Sequence, residues 1–194
     1  FKELADGSWI YLNNKGVAVT GEQIINGQTL YFGNDGRQFK GTTHINATGE
    51  SRYYDPDSGN MITDRFERVG DNQWAYFGYD GVAVTGDRII KGQKLYFNQN
   101  GIQMKGHLRL ENGIMRYYDA DTGELVRNRF VLLSDGSWVY FGQDGVPVTG
   151  VQVINGQTLY FDADGRQVKG QQRVIGNQRY WMDKDNGEMK KITY

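Results

Sequence analysis

The heptapeptide NGQTLYF stands at residues 26–32 and again at residues 155–161, and a looser copy, KGQKLYF, stands between them at residues 91–97. Each copy is preceded by V-x-V-T-G and followed by Q-x-K-G, and the motif R-Y-[YW] comes after these. A phrase that returns at such long intervals indicates an array of similar structural units. The repeats divide the chain into three modules, residues 1–65, 66–129 and 130–194.

Each module contains three short aromatic runs, and every run adjoins a polar turn that ends in glycine. The runs alternate apolar and polar residues with a period of two, and glycine suits the positive backbone dihedral φ of a tight turn. Runs of this kind on either side of such turns favour β-hairpins. The sequence therefore predicts an all-β fold of about nine consecutive hairpins without a helix.

The predicted hairpins need neighbours, because an isolated hairpin is only marginally stable in water. Each one must bury its aromatic face against the hairpins before and after it. Packing of this kind predicts a β-solenoid, in which the core extends along an axis instead of forming one globular centre. We expect residues 1–194 to form a single repeat domain of this type.

The composition argues against several other classes of protein. The chain of 194 residues contains 27 glycines but only 2 prolines, unlike a disordered Gly/Pro linker or a collagen-like chain. A formal net charge of −1 argues against nucleic acid and against anionic membrane surfaces, which both attract positive charge. The sequence has no run of about 18 apolar residues that would span a bilayer. It has no cysteine, which removes disulfides and thiolate metal sites.

The repeated motifs resemble those of a known family. The runs W-x-Y-F…D-G-V-x-V-T-G and N-G-Q-x-L-Y-F…D-G-x-Q-x-K-G are similar to the glucan-binding repeats of glucansucrases. Those enzymes are the sucrose-using transglycosylases of glycoside hydrolase family 70, made by lactic acid bacteria, with dextransucrases and branching sucrases as the nearest types. The likeness covers all three modules. More distant likenesses are to the choline-binding repeats of pneumococcal surface proteins and to the C-terminal repeats of clostridial toxins.

The resemblance implies a secreted, extracellular bacterial domain with affinity for α-glucans such as dextran and isomalto-oligosaccharides. It implies that the parent protein is a glucosyltransferase acting on sucrose, with a catalytic domain outside this chain. It also implies binding pockets built from consecutive hairpins, in which a tyrosine stacks on a glucose ring while glutamine, lysine or threonine side chains bond to the hydroxyls.

The chain supplies these side chains at matching positions in its modules. A tyrosine ring covers the apolar C–H face of a sugar, and a glutamine amide both donates to and accepts from hydroxyls. The expected sugar-binding residues are Tyr11, Tyr76, Tyr140, Tyr31, Tyr96, Tyr160, Gln28, Gln93, Gln157, Gln103, Lys40, Lys105, Lys169, Thr85 and Thr149.

The alternation of side chains along a strand separates these tyrosines from the expected core. The residue after each tyrosine is apolar without a hydroxyl and is expected in the core; these residues are Leu12, Phe32, Phe77, Phe97, Phe141 and Phe161. Alternation then places the tyrosines on the opposite, more exposed face. The tryptophans Trp9, Trp74 and Trp138 are expected to be buried anchors. A structural interpretation stays open, in which the tyrosines are core and the Gln and Lys repeats are solvated or bond across hairpins.

Catalytic, metal and cofactor sites are not expected. The carboxylates recur at turn positions such as Asp35, Asp80 and Asp144, whereas a glycosidase needs one pair inside a cleft. The run DADTG begins like a calcium loop, but Glu124 and Phe130 stand where an EF-hand requires glycine and glutamate. We therefore predict a binding domain without enzymatic activity of its own.

Two alternative functions remain. One is a choline- or cell-wall-binding repeat module, although an aromatic cage for a quaternary ammonium is best built with tryptophan, which stands in only one hairpin type of three, apart from Trp181. The other is a purely structural spacer.

Overall fold

A computed structural model describes residues 1–193 of the chain. Over those residues there are nineteen strands and no helix. The strands form nine antiparallel sheets, eight with two strands and one with three, and each strand pairs with its neighbour in sequence. None of the described residues forms a helix long and apolar enough to cross a membrane. The predicted all-β fold of successive hairpins is confirmed.

The chain separates into two compact units, of which the first spans Phe1–Met104. Its five hairpins pair β1 with β2, β3 with β4, β5 with β6, β7 with β8 and β9 with β10. Their bounds are β1 (Lys2–Glu3), β2 (Trp9–Ile10), β3 (Gly21–Ile25), β4 (Gln28–Phe32), β5 (Thr42–Ile45), β6 (Ser51–Tyr54), β7 (Arg65–Gly70), β8 (Gln73–Phe77), β9 (Gly86–Ile90) and β10 (Gln93–Phe97).

The second unit begins at Lys105. It contains three two-stranded hairpins and one three-stranded sheet, in the order β17, β18, β19. The bounds are β11 (His107–Glu111), β12 (Ile114–Tyr118), β13 (Arg129–Leu132), β14 (Trp138–Phe141), β15 (Gly150–Ile154), β16 (Gln157–Phe161), β17 (Gln171–Ile175), β18 (Gln178–Met182) and β19 (Met189–Lys191).

The Asn-Gly pair that opens the repeated heptapeptide forms the hairpin turn. Asn26 and Gly27 have φ values of 53° and 77°, and they join Ile25 directly to its partner Gln28. Two successive residues with positive φ make the turn whose twist matches that of the flanking strands, and Asn-Gly is the preferred pair for it. Asn155 has the same conformation, with a φ of 51°, in the turn that joins Ile154 to its partner Gln157. The Asn-Gly pair therefore sets the register of the hairpin in which it lies.

The remainder of the heptapeptide forms the core. Leu30 and Phe32 lie on the inner face of β4 with none of their surface exposed. The same residues in the other copies, Leu95, Phe97, Leu159 and Phe161, are at most 2% exposed. Neighbouring hairpins add to these clusters, since the Phe66 ring lies 6.3 Å from the Phe97 ring in a stacked arrangement. The core is therefore a series of small hydrophobic clusters, each formed by neighbouring hairpins.

Leu12 departs from the expected core. It is 37% exposed, whereas Phe77 and Phe141, at the same position in the other modules, are almost completely buried. Phe77 lies against Tyr53 and Phe141 against Tyr117, each in the hairpin before it. Leu12 belongs to the first hairpin, whose strands β1 and β2 are only two residues long.

Candidate functional site

A groove beside Trp138 brings together an aromatic ring, two amides and a lysine. It has a volume of about 210 Å³ and is lined by Phe130, Trp138, Gln157, Leu159, Gln167, Lys169 and Asn186. Trp138 stands on β14 and Gln157 on β16, while Gln167 and Lys169 follow β16. We call this surface the tryptophan groove. The indole is 37% exposed, so part of its surface is open to a ligand.

Lys169 holds a defined position in the groove. Its ammonium Nζ lies 5.7 Å from the centroid of the Trp138 ring, within the range of a cation–π contact. The same Nζ donates a hydrogen bond to the backbone carbonyl of Asp185, with an N···O distance of 3.0 Å. An ammonium has three hydrogens, so this bond leaves donor capacity for a ligand.

Gln167 is fixed from two directions. Its backbone N–H donates to the carbonyl of Trp138 at 2.7 Å, which ties the groove's amide to its aromatic ring. Its side-chain Nε2 donates to the carbonyl of Asn186 at 2.9 Å. Gly187 makes this possible, because a Cβ at that position would lie 2.4 Å from Nε2 of Gln167. The side-chain oxygen of Gln167 takes part in neither of these two bonds and can accept a hydrogen bond from a hydroxyl.

The same arrangement occurs in the first module. Nζ of Lys40 lies 5.6 Å from the Trp9 ring centroid and donates to the carbonyl of Asp57 at 2.8 Å. The backbone N–H of Gln38 donates to the carbonyl of Trp9 at 2.7 Å. The two copies lie in different compact units and nevertheless agree in every one of these contacts. Their geometry is therefore a property of the module.

The middle module shows the same elements in part. Within the first unit, the backbone N–H of Gln103 donates to the carbonyl of Trp74 at 2.7 Å, and the Gln103 residue is only 8% exposed. Within the second unit, Nζ of Lys105 donates to the carbonyl of Asp121 at 3.0 Å. Lys105 thus uses the same hydrogen bond as Lys40 and Lys169.

Tyr11, Tyr76 and Tyr140 share one environment in the three modules. All three are half-buried and pack edge-on against Phe1, Phe66 and Phe130, with ring centroids 5.0, 5.0 and 4.8 Å apart. The Tyr76 hydroxyl also donates a hydrogen bond to a carboxylate oxygen of Asp64. That bond, followed by burial, raises the pKa of Tyr76 to about 12. These rings support the hairpins beside the groove.

Tyr31, Tyr96 and Tyr160 are also half-buried. The Tyr31 ring is stacked on His44 with centroids 3.8 Å apart, and Phe39 packs against it edge-on at 5.0 Å. One face of this ring is therefore already covered by a protein side chain.

The two expected threonines lie outside the tryptophan groove. Both are exposed. Thr85 lines a separate depression of about 570 Å³, which also includes Ile45, Glu50 and Asn100. The backbone carbonyl of Thr149 accepts a hydrogen bond from Nε2 of Gln152 at 2.7 Å.

The structure thus joins Gln157 and Lys169 of the expected set to a tryptophan that was expected to be a buried anchor. Sequence reasoning missed Trp138 and Asn186 as groove residues. Gln167 stands two residues before Lys169 in the repeated motif Q-x-K-G, and residues two apart in extended backbone point to the same side. No such local signal marks Asn186, which reaches the groove from the next hairpin.

A family model for the choline-binding repeat matches residues 19–66, 84–130 and 148–194. Each match begins at an equivalent position of one module and runs into the first residues of the next, or to residue 194. The matched segments contain Gln157, Gln167, Lys169 and Asn186 of the groove, while Trp138 lies between the second and third segments.

The chain is also similar to streptococcal glucosyltransferases. It is 48% identical to glucosyltransferase-S of Streptococcus mutans over 152 residues, which are 78% of this chain and 10% of that protein. It is 48% identical to glucosyltransferase-I of Streptococcus downei over 144 residues, 74% of this chain and 9% of that protein. The chain thus spans about a tenth of the length of these relatives. The resemblance to glucosyltransferase repeats is confirmed.

A solved structure shows the same fold. The crystal structure of choline binding protein F from Streptococcus pneumoniae matches with a TM-score of 0.65 at 24% identity, covering 93% of this chain and 60% of that one.

Proposed function

Because the chain belongs to the choline-binding repeat family, we propose that it uses this family's fold to bind α-glucans. The proposed binding sites are the tryptophan groove at Trp138 and its counterparts beside Trp9 and Trp74, which we together call the tryptophan grooves. The observation that carries the proposal is the position of the lysine ammonium beside the indole in two modules, 5.6 Å from Trp9 and 5.7 Å from Trp138. This arrangement suits a neutral, hydroxyl-rich ligand and disfavours a cation.

The groove offers each group that a glucose unit needs. The exposed part of the Trp138 indole covers the apolar face of the sugar ring. Gln157 and Gln167 supply amide donors and acceptors, and Lys169 supplies an ammonium donor to the rim of hydroxyls. By equivalence of position, Gln28 and Lys40 serve the groove of Trp9, and Gln93 and Gln103 serve that of Trp74 within the first unit. The tyrosines of the expected set act chiefly by packing, and their hydroxyls contribute at the rim.

Choline is the competing ligand for this scaffold. A quaternary ammonium binds over the face of an aromatic ring. In this groove the ammonium of Lys169 already lies over the Trp138 ring. Two positive charges about 5 Å apart repel by roughly 1 kcal/mol in water and by more near a protein surface. A neutral sugar meets no such repulsion, and the lysine adds a hydrogen bond to it.

Repetition of the groove fits a polymeric ligand. One sugar offers little area, so each site is expected to be weak. A glucan chain that reaches two or more sites gains affinity through effective concentration, without any new type of contact.

The wider setting is part of the same proposal. The hairpins of residues 1–194 follow one another as a β-solenoid and form one repeat domain. The domain has no catalytic activity and belongs to a secreted, extracellular glucosyltransferase that acts on sucrose. There it holds the glucan near the catalytic domain. The names of the streptococcal relatives and the small fraction of their length that is matched support this setting.

Affinity electrophoresis tests the proposal. The chain is run in native gels with and without dextran, beside the variant Trp9→Ala/Trp74→Ala/Trp138→Ala. We expect dextran to retard the wild-type chain and to retard the triple variant much less. Equal mobility of the wild-type chain in both gels would exclude glucan binding. Elution of the chain from a choline column by free choline would support the competing ligand instead.

A further inference from the structure

A second pocket lies wholly in the second unit and shares no lining residue with the tryptophan groove at Trp138. It has a volume of about 370 Å³ and is lined by residues of the hairpins β11–β12 and β13–β14, together with Arg166. The side chains that matter to its chemistry are Leu108, Tyr117, Leu132, Leu133, Asp135 and Arg166. We call this surface the Tyr117 pocket.

An aromatic ring and aliphatic side chains form the apolar part of the pocket. Leu108 on β11 is the cross-strand partner of Tyr117 on β12, so these two side chains project from the same face of their hairpin. Leu132 on β13 belongs to the next hairpin. Leu108 and Leu132 are 37% and 53% exposed, which leaves apolar surface open to a ligand. Such a surface suits the C–H face of a sugar ring.

A carboxylate and a guanidinium form the polar part of the pocket. Nη2 of Arg166 donates to Oδ2 of Asp135 at 3.1 Å, and Oδ1 of Asp135 accepts from the backbone N–H of Ser137 at 2.9 Å. The side chains of Arg166 and Asp135 are still 36% and 49% exposed. A guanidinium has more N–H donors, and a carboxylate more acceptor positions, than these bonds use, so both groups can bond to a ligand.

Tyr117 is more accessible than its counterpart in the first unit. Tyr53 stands at the same position of the repeat, is only 7% exposed and forms part of a buried core cluster. Tyr117 is half-buried and packs against the corresponding cluster of the second unit without being enclosed in it.

Two local differences accompany this exposure. The turn of β7–β8 joins Gly70 to its partner Gln73 through two residues, whereas β13 and β14 are last paired before a longer turn, residues 133–137, which carries Asp135. Arg166 stands where the first unit has Ile102, because the two bridge to equivalent residues of the preceding hairpin. The polar groups of the pocket therefore belong to this junction and are not required by the repeat.

We propose that the Tyr117 pocket is a further binding site for a glucose unit of an α-glucan, separate from the tryptophan grooves. The ligand class rests on the proposed function. Tyr117 and the leucines cover the apolar face of the sugar, while Asp135 accepts from one hydroxyl and Arg166 donates to the adjacent one. The volume lies near the lower end of the range for small-molecule sites, so the pocket suits a short segment of the chain.

Choline is the competing ligand for this pocket as well. Among the described residues that line it, Tyr117 is the one Tyr, Trp or Phe side chain, whereas a cage for a quaternary ammonium is built from several rings. The negative charge of Asp135 is already matched by Arg166. A quaternary ammonium has no N–H or O–H to donate to Asp135, whereas a sugar hydroxyl bonds to either member of the ion pair.

Leucine methyl NMR of the whole chain tests the inference at the pocket itself. The methyl-labelled chain is titrated with isomaltotriose. We expect the methyl signals of Leu108 and Leu132 to shift and to saturate with added sugar. The signals of Leu110, which is 71% exposed on β11 and does not line the pocket, should stay in place. Leu159 lines the groove at Trp138 and reports on that site in the same titration.

Substitutions at Arg166 separate contact with the sugar from a structural role. Arg166→Ile introduces the residue type found at the corresponding position of the first unit, so we expect the fold to accept it. The affinity measured at Leu108 and Leu132 should fall by on the order of tenfold, because a charged hydrogen-bond donor is lost. Arg166→Lys keeps a charged donor and should retain part of the affinity.

The matched control is Arg37→Ile. It breaks the corresponding ion pair of the first hairpin, in which Arg37 lies 2.9 Å from Asp6. Arg37→Ile should lower the melting temperature about as much as Arg166→Ile does, and it should leave the shifts of Leu108 and Leu132 unchanged. Thermal unfolding of each variant shows that it is folded.

The outcomes separate this inference from the proposed function. Sugar-dependent shifts at Leu159 alone would overturn the inference and leave the grooves standing. Shifts at Leu108 and Leu132 alone, weakened by Arg166→Ile, would support the pocket and count against the groove. Equal losses in Arg166→Ile and Arg37→Ile would overturn the contact assigned to Arg166. Shifts with choline but not with isomaltotriose would overturn the ligand class, and no shift at any of these leucines would overturn both sites.

Discussion

The ammonium of Lys169 lies 5.7 Å from the Trp138 ring centroid and donates to the backbone carbonyl of Asp185, 3.0 Å away. One side chain thus connects the aromatic ring of one hairpin with the turn of another. The lysine holds the groove together and also places a positive charge where an aromatic cage would receive a cation. Under the proposed function, the contact between Lys169 and Trp138 favours a neutral ligand over a cationic one.

Replacing the lysine is expected to shift the ligand preference. Lys169→Ala removes the hydrogen-bond donor and the competing charge together, so the groove should lose affinity for glucan and gain affinity for choline. We expect retardation by dextran to decrease and retention on a choline column to increase. The matched variant Lys184→Ala removes an exposed lysine whose ammonium pairs with its neighbour Asp185, at 2.8 Å. Equal behaviour of the two variants on both ligands would contradict the role given to Lys169.

Gly187 is expected to matter to binding as well as to stability. Its φ is 80°, and a Cβ there would meet Nε2 of Gln167 at 2.4 Å. Gly187→Ala should therefore cost about 1 kcal/mol of stability through its backbone conformation, and should also push Gln167 out of the groove. The control is Gly113→Ala, which has a φ of 77° and open space around the new Cβ.

Thermal unfolding and dextran electrophoresis of the two glycine variants provide the comparison. We expect similar losses of melting temperature in both, and a loss of dextran retardation in Gly187→Ala alone. If Gly113→Ala lost retardation to the same degree, the effect would come from general destabilisation.

Much of the fold can be predicted from the sequence, because each hairpin is specified locally. The pair Asn26–Gly27 sets the turn, and the alternation after it places Leu30 and Phe32 inside. The site could be predicted only in part. The exposure of Trp138 depends on Asn186 and Lys169, which come from other segments of the module. A pattern read along one strand carries no information about such neighbours.

The same limit applies to the contacts of the tyrosine rings. Alternation correctly sets Tyr31 on the face opposite Phe32, but it does not reveal that His44, from the next hairpin, stacks on the ring at 3.8 Å. Likewise, Leu12 and Phe77 stand at the same position of the repeat but differ in burial. Phe77 is covered by Tyr53 of the preceding hairpin, and the pattern along its own strand does not reveal that contact. In this array, hairpins form locally while burial is decided by the adjacent hairpins.

Removal of the Tyr54 hydroxyl is expected to stabilise the protein. The ring is completely buried, its hydroxyl has no hydrogen-bond partner among residues 1–193, and burial raises the pKa of this tyrosine to about 12. A buried polar group without a partner costs roughly 1–3 kcal/mol, so Tyr54→Phe should raise the midpoint of denaturant unfolding. Methionine at the equivalent position 182 shows that the core does not need the hydroxyl.

The contrasting variant is Tyr76→Phe, whose hydroxyl donates to Asp64. It should lower the midpoint slightly, because a bonded hydroxyl near the surface is lost without a gain in burial. A lower midpoint for Tyr54→Phe would indicate that a water molecule satisfies its hydroxyl.

Acid is expected to weaken the hairpins through Asp135. Hydrogen bonds from the side chain and backbone of Ser137, and then from Arg166, lower the pKa of this carboxyl to about 2, from 3.8 in a model peptide. A carboxyl whose pKa is lower in the folded state stabilises the fold above its unfolded pKa, and that contribution disappears as the pH falls through the folded value. The contribution of Asp135 should therefore be complete above about pH 4 and lost near pH 2.

In Asp135→Asn, we expect a lower melting temperature than wild type at pH 6 and a difference that vanishes by pH 2. Asp71→Asn is the matched control, because Asp71 is the fully exposed counterpart with only a 3.8 Å contact to Arg68. A melting-temperature difference for Asp135→Asn that persists at pH 2 would assign the effect to packing instead of to the charge.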